Sequence, residues 1–452
     1  MPRIIRVALV SVRDLMLTAG PFVLIAVALL VAAYVVLDPQ PPRRVVLATG
    51  PERSAYARWG ELYAAELKRH GIQVELRHTL GSLQNRRLLR DPKEKVDLAF
   101  VQGGSSDGNQ AANDKNGEEM EALVSLGTVA FDPVWIFYRS EAAKKLNKEA
   151  TLTSIARMRG WSVNTGVRGS GTPGITNRIF AANMVERDEV KRQNLDETSA
   201  VVALLGGSLD AAVLVSAPES QMVQMLLQTP GIRLYEYAQA ESYARRYPFL
   251  SPVTLPRGVA DIARDVPARD VPLVATTTSL LAREEIHPAL VQLFVQAATR
   301  IHSGPGWIAR AGTFPNAQQG EFAVAKDAAR YYQSGPPLLQ RYLPFWLANL
   351  IDRMWVALFS IVAVLIPLSR LVPPLYEFRI RSRIFRWYRN LRQLEADAEN
   401  GAKPPVELLA ALDRLDARVS AIAVPLSYTD EAYTLRAHIN LVRERLIKGK
   451  SK

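Results

Sequence analysis

Between residues 45 and 104 the chain alternates short apolar runs, polar or glycine-bearing turns and amphipathic stretches three times. Residues 45–48 have the length and composition of a buried strand, and Thr49-Gly50-Pro51 breaks it. Ser54 stands where a helix cap belongs, ahead of Tyr56, Trp59, Leu62, Tyr63 and Leu67 at helical spacing, and Gly71 ends that helix. Val74 and Leu76 alternate with polar neighbours as a second strand, followed by a turn at 79–82 and a short helix at 85–90. Residues 96–101 make a third strand, closing on Gln102-Gly103-Gly104. Polar turns thus fall at the same end of successive strands, where open parallel sheets bind their ligands.

A Ser/Asp/Gly/Asn-rich stretch at 105–119 has no apolar period and reads as a mobile surface loop. A strand is predicted at 123–130 and extended chain at 134–138, with Asp132-Pro133 as a crossing into a second lobe. That lobe takes a helix from Thr153, a strand at 161–164, a glycine turn, helices at 175–185 and 198–205, and a strand at 211–215. Ala217-Pro218-Glu219 opens a further helix, Pro218 suiting its first turn. A return strand at 271–277 is followed by helices at 288–301 and 327–332, before the Gly335-Pro336-Pro337 break. Crossings near residues 132 and 272 divide the globular part into a first lobe, 43–131 with 272–337, and a second, 132–271.

Five blocks of this pattern resemble one known family. They are Ala48-Thr49-Gly50 with Ser54 and Tyr56; the turn at 79–82 with Asn85, Leu88 and Leu89; Asp97 to Gln102; the run Phe131 to Arg139; and the turn Gly166 to Thr172. Together they look like the solute-binding subunits of TRAP transporters, in the TAXI family, over residues 45–332. The resemblance implies an α/β, two-lobed fold of the periplasmic-binding-protein type II kind. It implies capture of a small organic acid or amino acid, with TRAP permease subunits as partners.

Two apolar segments lie outside this region. Residues 15–37 run without a charge between Asp14 and Asp38, and about 20 apolar residues suffice to span a bilayer. A cleaved signal peptide is the alternative reading, although Asp38-Pro39-Gln40-Pro41-Pro42 offers no A-x-A site and reads instead as a stiff linker. Residues 354–369 form a shorter uncharged run between Arg353 and Arg370, a second span or else a buried or interfacial helix. The net charge is +12, and its arginines cluster beside these segments: Arg3, Arg6 and Arg13 before the first, and seven between Arg370 and Arg392 after the second. That clustering points to a membrane surface and away from nucleic acid as a partner, and the positive-inside rule puts both termini in the cytoplasm. A bacterial inner-membrane location with the middle of the chain in the periplasm follows. Since the chain has no cysteine, an oxidising compartment is permitted and thiol chemistry is excluded.

Beyond Pro373-Pro374, apolar residues at helical spacing lie among arginines, and two more stripes follow at 408–419 and 433–447. The tail, 370–452, is predicted as a helical hairpin or short coiled coil, lying on anionic lipid or docking a cytoplasmic or membrane partner.

Candidate chemistry is sparse. Gly169-Ser170-Gly171-Thr172-Pro173-Gly174 satisfies G-x-G-x-x-G, yet the acidic residue a dinucleotide site needs falls at Asp188 or Glu189, inside a charged stretch instead of at the end of an apolar strand, and the Lys of a P-loop is missing, so no cofactor is expected. Its glycines would still let helix-terminal N–H groups face an anion, with Ser170 and Thr172 as extra donors. Arg168 pairs with a carboxylate or is a solvated loop arginine. Ser54, Tyr56, Ser82, Asn85 and Gln102 complete the predicted ligand set with Arg168, Gly169, Ser170, Gly171 and Thr172, Asn85 and Tyr56 having turn-forming and core roles as alternatives. The five histidines lack metal spacing and no serine sits in a G-x-S-x-G elbow, so neither a metal site nor an enzyme is expected. The reading is a membrane-tethered solute-binding protein; the alternative is a ligand-sensing or regulatory membrane protein that passes lobe closure to its tail.

Overall fold

Helix α1 (Arg3–Leu37) carries the first apolar run in the computed structural model of the protein, which describes residues 3–37, 40–105, 123–147, 150–317, 321–420 and 429–448. A mixed α/β unit, Gln40–Asn349, follows. It begins β1 (Arg44–Ala48), α2 (Ala55–Lys68), β2 (Gln73–Arg77), α3 (Ser82–Arg90) and β3 (Leu98–Gln102). A single long strand, β4 (Leu123–Arg139), leads to α4 (Ser140–Asn147), a 3-10 turn at Ile155–Met158, β5 (Ser162–Asn164), α5 (Thr172–Ala182) and β6 (Lys191–Gln193). Next come α6 (Glu197–Leu205), β7 (Ala211–Val215), α7 (Gln221–Gln228), β8 (Ile232–Leu234), α8 (Ala240–Arg246) and β9 (Leu250–Leu255). The unit closes with β10 (Val271–Arg283), α9 (Pro288–His302) and α10 (Lys326–Ser334).

The strands join in the order β2-β1-β3-β10-β4-β7-β5-β6, with β8 on β4 and β9 on β10. β1, β2 and β3 are parallel, as are β5, β6 and β7. β3 and β7 are buried along their whole length, as strands covered on both faces must be, and both are continuous apolar runs apart from Gln102. Two antiparallel strands connect the halves: β4 pairs with β10 up to Pro133 and with β7 from Val134 onward. β10 in turn pairs with β9 from Val271 to Thr276 and with β3 from Thr278 onward. Each lobe has its own core, centred on Tyr63, Phe100 and Phe294 in one and on Trp135, Phe137, Phe180 and Tyr237 in the other.

Several elements differ from the sequence reading. The runs at 123–130 and 134–138 are one strand, because Asp132-Pro133 stays paired with Ala275 and Thr276 of β10. The helix placed from Thr153 is only the 3-10 turn, and that placed at Pro218 starts at Gln221 after Ser220. α5 starts at Thr172, ahead of Ile175, because Pro173 suits the first turn. The loop at 105–119 lies, past Ser105, outside the described residues.

The other unit comprises Met1–Pro39 and Leu350–Lys452. Its helices are α1, α11 (Phe345–Ser369), α12 (Val372–Glu399), α13 (Pro405–Ser420) and α14 (Thr429–Lys448). Ile384, Leu391, Leu412, Leu415, Leu435 and Ile439 bury one another between the last three, so the tail is a small bundle with a core of its own. Among the described residues two helices are long and apolar enough to cross a membrane: α1 over Met16–Leu37, and α11. At 25 residues, α11 extends the run at 354–369 by more than two turns at its N-terminal end.

Candidate functional site: a cleft ringed by helix N-termini

A cavity of about 230 Å³ lies between the lobes, and the first residues of five helices line it. α2 contributes Ser54 to Tyr56, α3 Gly81 and Ser82, α5 Gly171 and Thr172, α6 Glu197 and Thr198, and α7 Ser220 and Gln221. This follows from the strand–turn–helix grammar, which places helix starts beyond the carboxyl ends of parallel strands. Two of the starts are capped by side chains: Ser54 Oγ accepts from Ala57 N at 3.2 Å, and Asp196 Oδ1 from Ser199 N at 3.0 Å. α7 has no side-chain cap, Ser220 Oγ donating to Glu197 instead, and α3 and α5 have glycine N-caps, Gly81 and Gly171, with no side chain to cap them. Apart from Gln84 N, which is engaged by the other lobe, and Pro173, which has no N–H, the first-turn donors of α3 and α5 and the positive ends of their dipoles are left for a ligand.

These two uncapped starts belong to opposite lobes and already touch. A Cβ on Gly81 would stand 3.2 Å from Ser170 Cα, and one on Gly171 would collide with Gln102 Oε1 and stand 3.1 Å from Ser105 Cβ. Gln84 N donates to Gly169 O at 3.0 Å, and Arg178 Nη1 donates to Gly104 O at 3.0 Å. The lobes are thus closed on one another. The turn before α5 depends on glycine, since Gly166 and Gly169 have φ of +88° and +105°.

Carboxylates give the cleft its electrostatics. Asp132 is fully buried where β4 crosses between the lobes, and its Oδ2 accepts from Tyr56 Oη at 2.8 Å, from Gln102 Nε2 at 3.0 Å and from Thr278 Oγ1. Its other oxygen, Oδ1, is buried without a partner. Burial pushes the carboxyl up from its ordinary range against the pull of these three donors. Tyr56 is held well above the usual phenol range, by burial first and by the Asp132 charge second. Glu197 stands on the cleft wall, its Oε1 accepting from Ser220 Oγ at 3.1 Å and Ser216 Oγ at 3.5 Å. Burial raises it too, with the charges of Asp132 and Asp196 adding to the effect.

Of the residues singled out from sequence, Ser54, Tyr56, Ser82, Gln102, Ser170, Gly171 and Thr172 line the cleft. Asn85, Arg168 and Gly169 do not. The Asn85 amide is engaged inside the first lobe, donating to Thr49 O at 2.5 Å and Phe100 O at 2.8 Å and accepting from Thr79 Oγ1 at 2.6 Å. Gly169 lies against Leu80 at the lobe contact. Sequence reasoning missed Asp132, Glu197, Asn164, Ser216 and Ser220. Asn164 and Ser216 sit at the carboxyl ends of β5 and β7, a position that could have flagged them. Trp135 and Phe131 are packing residues, Trp135 lying parallel to Phe137 and Phe131 edge-on to Phe314.

Among the described residues no group of three or more His, Asp or Glu side chains is arranged to hold a metal ion. Residues 47–333 match the model of a family described as NMT1-like. No curated protein matches the chain in sequence. Among solved structures, the periplasmic aliphatic sulphonate binding protein SsuA from Escherichia coli is similar at 14% identity and a TM-score of 0.37, over 75% of this chain and 94% of that one. Malate-bound MatC from Rhodopseudomonas palustris is similar at 14% identity and a TM-score of 0.38, over 71% and 99%.

Proposed function

The chain belongs to the NMT1-like family, of periplasmic-binding-protein type, and on that premise we propose that it is a solute-binding protein held at the bacterial inner membrane. The observation that carries this reading is the pair of uncapped helix N-termini, α3 and α5, meeting across the cleft from opposite lobes. A carboxylate between them would accept N–H groups from both lobes at once, so binding and closure become one event. Each dipole contributes roughly 0.3–1 kcal/mol when exposed and up to about 2 kcal/mol when partly buried. The solute is a small organic acid or amino acid.

The finer assignment, a TAXI-type receptor that feeds a TRAP permease, is supported by the blocks around Ser54, Asn85, Gln102, Asp132 and Gly166 to Thr172. Tethering through α1 and α11, with the solute domain in the periplasm, is supported by their length and apolar composition and by the arginines flanking them. A second reading, a sensor that passes lobe closure inward, is favoured by the bundle of α12, α13 and α14.

The experiment is a thermal-shift and small-angle scattering screen of carboxylic and amino acids on the full chain in nanodiscs. A binder is expected to raise the melting temperature and to compact the solute domain relative to a ligand-free open form. A screen in which no carboxylate does either would overturn the reading. A permease subunit co-purifying with the chain supports transport; a partner retained only by the tail supports sensing.

A further inference from the structure

The uncapped helix ends account for an anion, yet the same cleft holds carboxylates that no cation answers. Glu197 lines the wall and Asp132 lies behind Tyr56 and Gln102; among the described residues neither makes an ion pair. Among the described residues Arg53 is the lone basic residue on the wall; it is exposed and makes no ion pair either. The two carboxylates are close enough for the charge of Asp132 to act on Glu197, and Glu219 acts in turn on Asp132. Asp132 is fully buried and Glu197 half-buried, the positive end of α6 offsetting part of the cost at Glu197, and a solute bearing only a carboxylate would bring in a further negative charge.

We propose that the solute is a zwitterion whose protonated amine is received by Glu197, while its carboxylate meets the first turns of α3 and α5. This rests on the carboxylate reading proposed above for the same cleft. The surroundings of Glu197 suit an ammonium group. Ser216 and Ser220 donate their hydroxyl hydrogens to Glu197, so their oxygens keep lone pairs that can accept. Asn164, also on the wall, already accepts from Leu195 N at 2.8 Å through its Oδ1, which holds that oxygen in place. An ammonium has three donors and no acceptor, so acceptors are what it requires. The substrate class is then an α-amino acid or a close analogue, as distinct from a mono- or dicarboxylate.

The test compares matched pairs by calorimetry on the full chain in nanodiscs: L-leucine with 4-methylpentanoate, L-glutamate with glutarate, L-phenylalanine with 3-phenylpropanoate, and so on through the amino acids. The tightest binder is expected to be an amino acid, its deaminated partner at least ~30-fold weaker, and Glu197→Gln is expected to remove most of that difference. A deaminated acid that binds as tightly as its amino acid overturns the amine site while leaving the anion clamp standing. Failure of every carboxylate and every amino acid to bind overturns the clamp and this inference together. The pairs are read on the unaltered protein, so the outcome holds even if Glu197→Gln does not fold.

Discussion

Gln102 shows how much one side chain does at this cleft. Its amide nitrogen donates to Asp132 Oδ2 at 3.0 Å and to Val215 O at 3.1 Å, and its Oε1 abuts Gly171, so it is held by both lobes. The sequence marks Gln102 because it ends an apolar strand, but there Asp132 reads as part of a turn-like crossing. Nothing in Phe131-Asp132-Pro133 distinguishes a carboxylate that Tyr56 and Thr278 will satisfy from one that faces water, because those partners are 76 and 146 residues away. His302 is a second residue whose role only the fold discloses. It stands half-buried and edge-on to Trp59 at 5.0 Å, its Nε2 is buried without a partner, and burial lowers its pKa to about 4. Its folded pKa lies below the unfolded value of about 6.5, so the stability it contributes is present above pH ~6.5 and is lost as pH falls towards ~4, by up to about 3 kcal/mol. Melting temperatures of the protein and of His302→Leu at several pH values check this. The variant is expected to lose less stability on acidification, and equal losses would rule the histidine out as the cause.

At the scale of elements, what was legible was what local chemistry dictates. α2 announces itself by its Ser54 cap, α6 by the run placed at 198–205, whose Asp196 cap only the structure shows, and β3 and β7 by unbroken apolar runs. β6, Lys-Arg-Gln, and β8, Ile-Arg-Leu, carry no period in three residues and form because a neighbouring strand pairs with them. The start of α5 was misplaced by three residues, since a glycine cap leaves no side-chain signature; that missing side chain is also what opens the site. Gly171 has φ −74° and ψ −22°, ordinary for any L-residue, so Gly171→Val is expected to fold. What valine meets is Gln102 and Ser105 of the other lobe, so the variant is expected to stay open and to lose affinity by about 100-fold or more. Ser170→Ala removes only a hydroxyl that donates to Val167 O at 2.8 Å, a cost on the order of 1 kcal/mol. Calorimetry with the tightest acid found, alongside scattering, separates the two effects. A Gly171→Val protein that closes and binds normally would show that the two lobes need not meet there.

At the scale of the whole molecule, the arrangement turns on which side of the membrane each flank lies. Among the described residues α1 and α11 are the two helices apolar enough to span, and the solute domain lies between them in sequence, so the proposed two-span tether would put it and the termini on opposite faces. Arginines decide the sense. Arg3, Arg6 and Arg13 precede the first span, and Arg370, Arg379, Arg381, Arg383, Arg386, Arg389 and Arg392 follow the second. Translocating the seven arginines of the tail would oppose the positive-inside bias at every one of them. The flanks facing the solute domain carry fewer: Arg43 and Arg44 follow the first span, and Arg341 and Arg353 precede the uncharged run of the second, against seven arginines after it. Alkaline phosphatase fused after Pro42 or after Gly335 is therefore expected to be active, and at the C-terminus inactive, with fluorescent-protein fusions giving the reverse. An active C-terminal phosphatase fusion would overturn the topology, and with it any role for the tail bundle in the cytoplasm. N-terminal sequencing of the mature protein supplies the remaining control. A start at residue 1 keeps α1 as an anchor; a start near residue 38 would leave α11 as the single tether, with the solute domain still outside and the tail still within.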